Sequence, residues 1–507
     1  MPETMMLASS SYGVVGLGVM GSSLILNLAE KTGSPVSGFD LSAEKCASAE
    51  ARALAEGFAA GQVRCFSELG AFVESLSVPR KVVLLVPAGP AVDACLGSMG
   101  PLLSPGDAVM DGGNEWYENS ERREAAMRDR YGVHYLGCGV SGGADGARHG
   151  PALMVGGAKE AFSLLRDGLE KIAARARGAP CVVYCGPGGA GNYVKMVHNG
   201  IEYGDMELIG EAYALLKAKG LSNSDCADLF ATWNEPPSEL RSFLIEITAK
   251  ILRKKKTTTQ EDGGDLIDNV LDKTGSKGTG KWTVQEAANQ GVSAPTIAAA
   301  LDARYASAHK ATRLKAATTL TPPRVAVDDA SFTAEDLEAA LVCSKICTYA
   351  QGLALINAAK QDKGWTDLRV ADVLRCWRGG CIIRAKLLVD FADALVEQND
   401  DDRDGDDQDD AGGKKKEKID NLLLHPAIAA LIADREPQWR RLVANAIADG
   451  QVPVPALAAS LAYFDALRSP HLQSAALIQA QRDCFGGHTY KHLDDPDGPA
   501  HTTDWLA

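Results

Sequence analysis

The chain has 507 residues and a net charge of −14, with 46% hydrophobic and 23% charged residues. That is globular composition with room for two or three cores, and the acidic balance argues against broad nucleic-acid binding. The start "MPETMMLASS" has no basic segment and no apolar run of signal-peptide length, and no stretch approaches ~20 apolar residues, so a cytoplasmic protein without a membrane span is expected.

The first 190 residues alternate short β-rich runs with helical patterns. "YGVVGLG", "PVSGFD", "KVVLLVPAG", "DAVMDGG" and "VHYLGCG" read as strands, most of them separated by helices. The expectation is a doubly wound parallel α/β sheet of Rossmann type over residues 1–189. Gly16-x-Gly18-x-x-Gly21 follows the first strand and opens the helix "SSLILNLAE". Glycines there let the backbone approach a pyrophosphate, and the helix end presents unpaired N–H groups to it. The second strand ends at Asp40, 24 residues after Gly16, followed by Leu41 and Ser42. A carboxylate at that place accepts hydrogen bonds from a ribose diol and repels a 2′-phosphate, which favours NAD over NADP. Lys45 is the only nearby cation. Capping of the next helix by Asp40 or Ser42 is the competing reading.

"DGGNEWY" follows a strand end and carries Asn114, in the loop position that forms the ligand crevice of such sheets. "GVSGGADGARHGP" supplies Ser141, Gly142 and Gly143, whose N–H groups can hold a carboxylate or an oxyanion. "GAGNYVKMVHNGIEYGDMELIGEAYALLKAKG", residues 189 to 220, reads as one long helix. At ~3.6 residues per turn, Lys195, His198, Asn199 and Glu202 share one face, with Tyr203 at its edge. The mixture lacks the Glu/Lys alternation of a solvated surface helix, and Gly189 and Gly191 allow close approach to its first turn.

From about residue 190 strand signals nearly vanish and Ala/Leu-rich helical patterns take over, so residues 190–470 are read as an all-helical domain. Within it, "GSKGTGKW" places Lys277 and Thr279 among glycines, a phosphate cradle whose spacing is not that of a Walker loop. Residues 398–418, "QNDDDRDGDDQDDAGGKKKEK", have almost nothing apolar to bury and read as a disordered insertion. Residues 471–507 read as a short helix and an extended tail. The twelve cysteines and nine histidines show no zinc-module spacing, so reduced thiols and no metal are expected.

Taken together, "GLGVMG", "DGGNEWY", "GVSGGADGARHGP", "KMVHNGIEYGDM", "SFLIEIT", "GSKGTGKW", "WRGGCIIR" and "LIQAQRDCFGGHTY" resemble the decarboxylating 6-phosphogluconate dehydrogenase family nearly end to end. The resemblance implies NADP or NAD as cofactor, held by Gly16, Gly18, Val19, Met20, Gly21, Asp40, Leu41, Ser42, Val86 and Asn114. It implies Lys195 as general base and Glu202 as general acid. Asn114, Ser141, Gly142, Gly143, His198, Asn199 and Tyr203 match substrate contacts, and Lys277, Thr279 and Arg304 match phosphate contacts. Arg482 and His488 match residues reaching the site from a second subunit, which implies a homodimer. Two departures bear on the cofactor. The family's Asn-Arg-Thr after the second strand is Asp40-Leu41-Ser42 here, and the Lys of "VKAG" is Pro87. The alternatives are another β-hydroxyacid dehydrogenase and a non-catalytic dinucleotide-binding homologue.

Overall fold

A computed structural model describes residues 9–256, 264–320, 332–399 and 421–507. The acidic segment read as disordered lies outside the described residues, except its first two, which end the helix Lys386–Asn399.

The strands are β1 (Tyr12–Val15), β2 (Val36–Phe39), β3 (Val63–Phe66), β4 (Lys81–Leu84), β5 (Ala108–Asp111), β6 (His134–Ser141), β7 (Ala152–Gly157), β8 (Arg175–Ala176), β9 (Ala179–Pro180) and β10 (Val182–Gly186). Eight of these described strands form one sheet in the order β10-β7-β6-β5-β4-β1-β2-β3, while β8 and β9 form a separate short pair. From β3 through β6 every pairing is parallel. Strands β1, β2 and β5 are buried at every residue, as expected of apolar runs covered by helices on both faces.

Two points depart from a purely parallel sheet of the strands expected above. β7 runs antiparallel to β6. The connection between them holds only the short helix Gly143–His149, too little chain for the crossover a parallel return requires. In addition, β3 and β7 to β10 are not among the strands expected above. β3 is a partly exposed edge strand, "VRCF", with Arg64 in it. β7 and β10 end in glycine.

The chain order reverses at β1, which pairs with both β2 and β4. That switch point opens a crevice at the carboxyl ends of β1 and β4. The helix Val19–Thr32 starts there, with Gly18 as its N-cap and no side-chain cap hydrogen bond. Gly16 has φ +90°, and a Cβ on it would lie 2.6 Å from the Leu85 carbonyl oxygen. Only glycine fits such a turn.

Beyond residue 190 the described structure is helical, built round two 29-residue helices, Ala190–Ala218 and Ala334–Asp362, that pack on each other. The second is long and apolar enough on average to cross a membrane, but it holds no long unbroken apolar run and lies buried in the protein core. Its buried polar side chains interrupt the apolar run in sequence but find partners inside. Ser460 Oγ donates to Ser344 Oγ at 2.7 Å, and Gln351 Nε2 donates to Thr296 Oγ1 at 2.8 Å.

The helix Ala190–Ala218 lies directly on β6 and β7 because glycines line the contact. A Cβ on Gly139 would fall 2.3 Å from the Lys195 Cβ, and one on Gly191 would fall 2.5 Å from the Gly137 carbonyl oxygen. This flush seating buries one face of the helix at the mouth of the sheet.

The C-terminal helix Gln473–Gly486 is followed by a tail that folds back onto it. Asp483 accepts from Thr489 N at 2.9 Å, Thr502 Oγ1 at 2.9 Å, Thr503 N at 3.0 Å and Trp505 Nε1 at 2.8 Å. Leu477, Ile478, Phe485 and Leu493 stay exposed on this segment. All twelve cysteines are free thiols, and most are buried.

Candidate active site

The nucleotide-binding turn, the sheet edge and the helical region meet round a cleft of about 650 Å³. Met20 lines it from the first turn of the helix Val19–Thr32, and Leu85, Val86, Gly112, Gly113 and Asn114 line it from the loops after β4 and β5. Val140, Ser141, Gly142 and Gly143 line it from β6 and the turn that follows. Its floor is the long helix, through Lys195, Asn199, Glu202, Tyr203 and Met206. The far end is closed by Gly275, Ser276, Lys277, Thr279 and Arg304, and Ile382 completes the lining. Residues as far apart in the chain as Met20 and Ile382 thus converge on one space.

The floor is a hydrogen-bonded row. Asn199 Nδ2 donates to Thr279 Oγ1 at 2.9 Å, leaving its Oδ1 to face His198 Nδ1 at 3.0 Å. That pairing assigns the His198 proton to Nδ1, so Nε2 accepts from Ser141 Oγ, 3.3 Å away. His198 Nδ1 also lies 3.5 Å from Lys195 Nζ and 3.8 Å from Glu202 Oε2. The imidazole therefore sits between the amine and the carboxyl group. Its ring is fully buried and packs edge-on to Trp377, with centroids 5.4 Å apart.

Burial sets the charge states. Removal from water pushes the Lys195 amine below the usual lysine range, against the opposing pull of Glu202. Burial, reinforced by the Lys195 charge, drives His198 well below its ordinary value and so keeps it neutral. Burial raises the Glu202 carboxyl, Lys195 and Arg304 pull it down, and Asp205 pushes it up, with a net rise. A lysine and a carboxylic acid whose affinities for the proton approach one another are suited to successive proton transfers.

At the far end, the Arg304 guanidinium lies 3.5 Å from the centroid of the Tyr203 ring and donates to the Gly275 carbonyl at 3.1 Å. Tyr203 OH is 3.1 Å from Ser276 Oγ. The ring is held by close packing on the helix Thr279–Asn289, where a Cβ on Gly280 would approach it to 2.3 Å. Lys277 is exposed at the rim. Two cations, two hydroxyls and a phenol suit a phosphate dianion.

The turn after β1 fits a dinucleotide. Gly18 has open space where a side chain would stand, whereas a Cβ on Gly21 would collide with the Gly16 carbonyl oxygen at 1.8 Å. One glycine leaves room and the other permits the helix to close on the strand. Val19 and Leu41 are exposed beside this turn. Asp40 Oδ2 accepts from Leu17 N at 2.9 Å, Oδ1 accepts from Ser42 N at 3.0 Å, and Lys45 Nζ lies 3.4 Å from Oδ2. Against the upward push of burial, these bonds and Lys45 hold its carboxyl below the usual range. The cap of the next helix is Ser42, which accepts from Lys45 N at 3.3 Å.

Among the residues singled out from sequence, His198 is fully buried and does not line the cleft, Gly16, Gly18, Val19, Gly21, Asp40, Leu41 and Ser42 lie outside its lining, and neither Arg482 nor His488 lines this chain's cleft. Both are exposed, on the C-terminal helix and just after it. Conversely, Ser276, Met206 and Ile382 line the cleft and were not singled out. Ser276 stands inside "GSKGTGKW", and Met206 lies one helical turn past Glu202, so both carried a positional signal. Ile382, in "WRGGCIIR", carried none beyond its motif.

Comparison with known proteins agrees with this arrangement. A family model described as the NAD binding domain of 6-phosphogluconate dehydrogenase matches residues 11–186. A second, described as 6-phosphogluconate dehydrogenase, C-terminal domain, matches residues 191–505. A rice (Oryza sativa subsp. japonica) protein named 6-phosphogluconate dehydrogenase, decarboxylating 2, chloroplastic is 48% identical, over 97% of this chain and 93% of its own length. The Bacillus subtilis (strain 168) protein named 6-phosphogluconate dehydrogenase, NADP(+)-dependent, decarboxylating is 42% identical, over 99% of this chain and 100% of its own. A Plasmodium falciparum 6-phosphogluconate dehydrogenase, solved in apo form, with its cofactor NADP+ and with its substrate 6-phosphogluconate, superposes with a TM-score of 0.87 at 40% identity. That match covers 98% of this chain and 100% of the other. The chain belongs to the decarboxylating 6-phosphogluconate dehydrogenase family and is an oxidoreductase with an NAD(P)-binding Rossmann domain and a large helical domain.

Proposed function

We propose that this chain converts 6-phospho-D-gluconate to D-ribulose 5-phosphate and CO₂, with Lys195 and Glu202 moving the protons. The observation that carries the assignment is their placement on one buried helix face, between a dinucleotide turn and a cluster suited to phosphate. The bound nicotinamide supplies the hydride acceptor for C3 of the substrate. Gly16, Gly18, Val19, Met20, Gly21 and Val86 would hold the cofactor, with Asn114 between it and the substrate.

Neutral Lys195 takes the proton of the C3 hydroxyl as that carbon is oxidised. The resulting ammonium then donates to the new C3 ketone oxygen, which draws electrons from the breaking C1–C2 bond as CO₂ leaves. An enediol remains. Lys195 takes back the enediol hydroxyl proton while Glu202 delivers a proton to the carbon that becomes C1 of the product. His198 and Asn199 position the substrate hydroxyls, and Ser141, Gly142 and Gly143 receive the sugar-acid carboxylate. Lys277, Thr279, Arg304 and Tyr203 receive the phosphate. Reduced-cofactor absorbance with 6-phosphogluconate, followed with NAD and with NADP, tests the assignment, and no turnover with either would overturn it.

Cofactor preference follows from the end of β2. The ionised Asp40 opposes a 2′-phosphate, exposed Leu41 supplies no cation, and Lys45 is engaged by Asp40. NAD use at least equal to NADP use is the expected result. The double change Asp40→Asn and Leu41→Arg is expected to move the ratio of kcat/KM values toward NADP by ~10–100-fold, the worth of one or two charge-assisted hydrogen bonds. An unchanged ratio, or wild-type protein that strongly prefers NADP, would refute the reading.

A homodimer with exchanged tails is supported by the exposed apolar face of the C-terminal segment and by Arg482 and His488 lying outside their own cleft. Mixing Arg482→Ala subunits with Lys195→Met subunits is expected to restore turnover at low substrate, because the hybrid contains one complete site. Tails acting within their own subunit would leave the mixture as weak as its parts. A cytoplasmic location is supported by the free thiols, which suit a reducing compartment.

A further inference from the structure

One turn beyond Glu202, the helix Ala190–Ala218 carries a second carboxylate that the proton transfers above do not use. Asp205 is buried, and it accepts a hydrogen bond from the ammonium of Lys345, which is fully buried on the helix Ala334–Asp362. Its other oxygen, Oδ2, is buried with no hydrogen-bond partner. Stability does not account for this arrangement. Taking both charges out of water costs about what their attraction returns, and an apolar pair of equal volume serves a core as well or better. An orphan carboxylate oxygen adds a further cost.

The placement gives the pair an electrostatic reach into the cleft. Residues three apart on a helix are neighbours, with Cβ atoms roughly 5–6 Å apart. Asp205 therefore stands beside Glu202, on the side away from Lys195. The groups that face Glu202 are otherwise neutral or cationic. Lys195 and neutral His198 precede it on its own helix, Arg304 comes from the helix Pro295–Ala308, and Lys277 from the loop before Thr279. These cations favour the carboxylate, which is the wrong form for a proton donor. Burial is the larger force that keeps Glu202 in its acid form; among the described residues Asp205 is the negative charge that adds to it against Lys195 and Arg304, and Lys345 anchors it from behind.

We propose that Asp205, held by Lys345, is a positioning residue that reinforces burial in keeping Glu202 in its acid form against the field of Lys195 and Arg304. The inference rests on the assignment of Glu202 as proton donor to the enediol. It makes the buried ion pair part of the last chemical step, although neither member touches the substrate.

The test is the pH dependence of kcat with 6-phosphogluconate, where the alkaline limb reports loss of the acid in the enzyme–substrate complex. In Asp205→Asn the limb is expected to move to lower pH by about one unit, a ~10-fold loss on the alkaline side, with the acid limb and substrate KM unchanged. Because the single change leaves Lys345 buried and unpaired, Asp205→Asn/Lys345→Gln, which removes both charges, is the companion variant. It is expected to show the same direction of shift, and the conservative Asp205→Glu is expected to restore the limb. Solvent-deuterium exchange at C1 of ribulose 5-phosphate, with Glu202 acting as base, should shift in parallel. A uniform fall of kcat at every pH, or an unmoved limb in folded variants, would overturn the inference and reduce the pair to a structural contact. Wild-type protein without turnover would instead overturn the assignment of function.

Discussion

Lys195→Met is expected to lower kcat by ~10²–10⁴-fold, the contribution of a positioned general base, while cofactor binding measured by fluorescence titration stays within ~2-fold of wild type. Methionine keeps the length of the side chain and fills the space above Gly139, so the loss reports the amine and not a cavity. Lys195→Arg should be equally inactive. A guanidinium stays charged throughout the working range and cannot accept the hydroxyl proton. The sign of the pH dependence follows from the buried amine. Its proton affinity is lowered in the folded site, so the neutral form persists to lower pH than for an exposed lysine. Activity should therefore fall only as the pH drops through that lowered value, and the acid limb should disappear in the methionine variant's residual rate. Residual turnover close to wild type in Lys195→Met would exclude the residue as the base.

Glu202→Gln is the second large effect, with a kcat loss of ~10²–10⁴-fold expected for removal of the acid. The two losses should differ in kind. In the proposed sequence of steps oxidation and decarboxylation do not need Glu202, so one equivalent of reduced cofactor and one of CO₂ should still form in the first turnover. Stopped-flow absorbance should record this burst, followed by a near-arrest. In Lys195→Met no burst should appear. A Glu202→Gln protein with no burst would place the carboxyl group at an earlier step. The wild-type carboxyl is raised by burial and by Asp205, so the acid form extends upward in pH and is lost as the pH rises through its raised value.

Much of this was legible in the chain because its signals are local. A glycine pattern between a strand and a helix needs only a few consecutive residues to be read. The polar face carrying Lys195, His198, Asn199 and Glu202 follows from helical periodicity alone. The all-helical character after residue 190 is likewise a property of short windows. What failed was of another kind. The edge strand β3 holds an arginine where pattern reading expects an apolar residue, and β7 turns antiparallel because of the short connection before it. The lysine, serine and glutamine of the helix Ala334–Asp362 are accommodated in the core only through partners on helices distant in sequence.

The sequence by itself thus determined the Rossmann turn, the polar helix face that carries Lys195 and Glu202, and the family, since each depends on residue types at short spacing. Tertiary structure alone decided how those parts act together. The glycines of β6 and β7 let the helix Ala190–Ala218 lie flush on the sheet and strip water from Lys195. Asp40 proved to be tied to the Leu17 and Ser42 amides and to Lys45. Ser276 joined Tyr203, and Lys345 found Asp205 across 140 positions of chain. Burial and long-range pairing set these proton affinities and charges, and neither quantity exists until segments remote in sequence have packed.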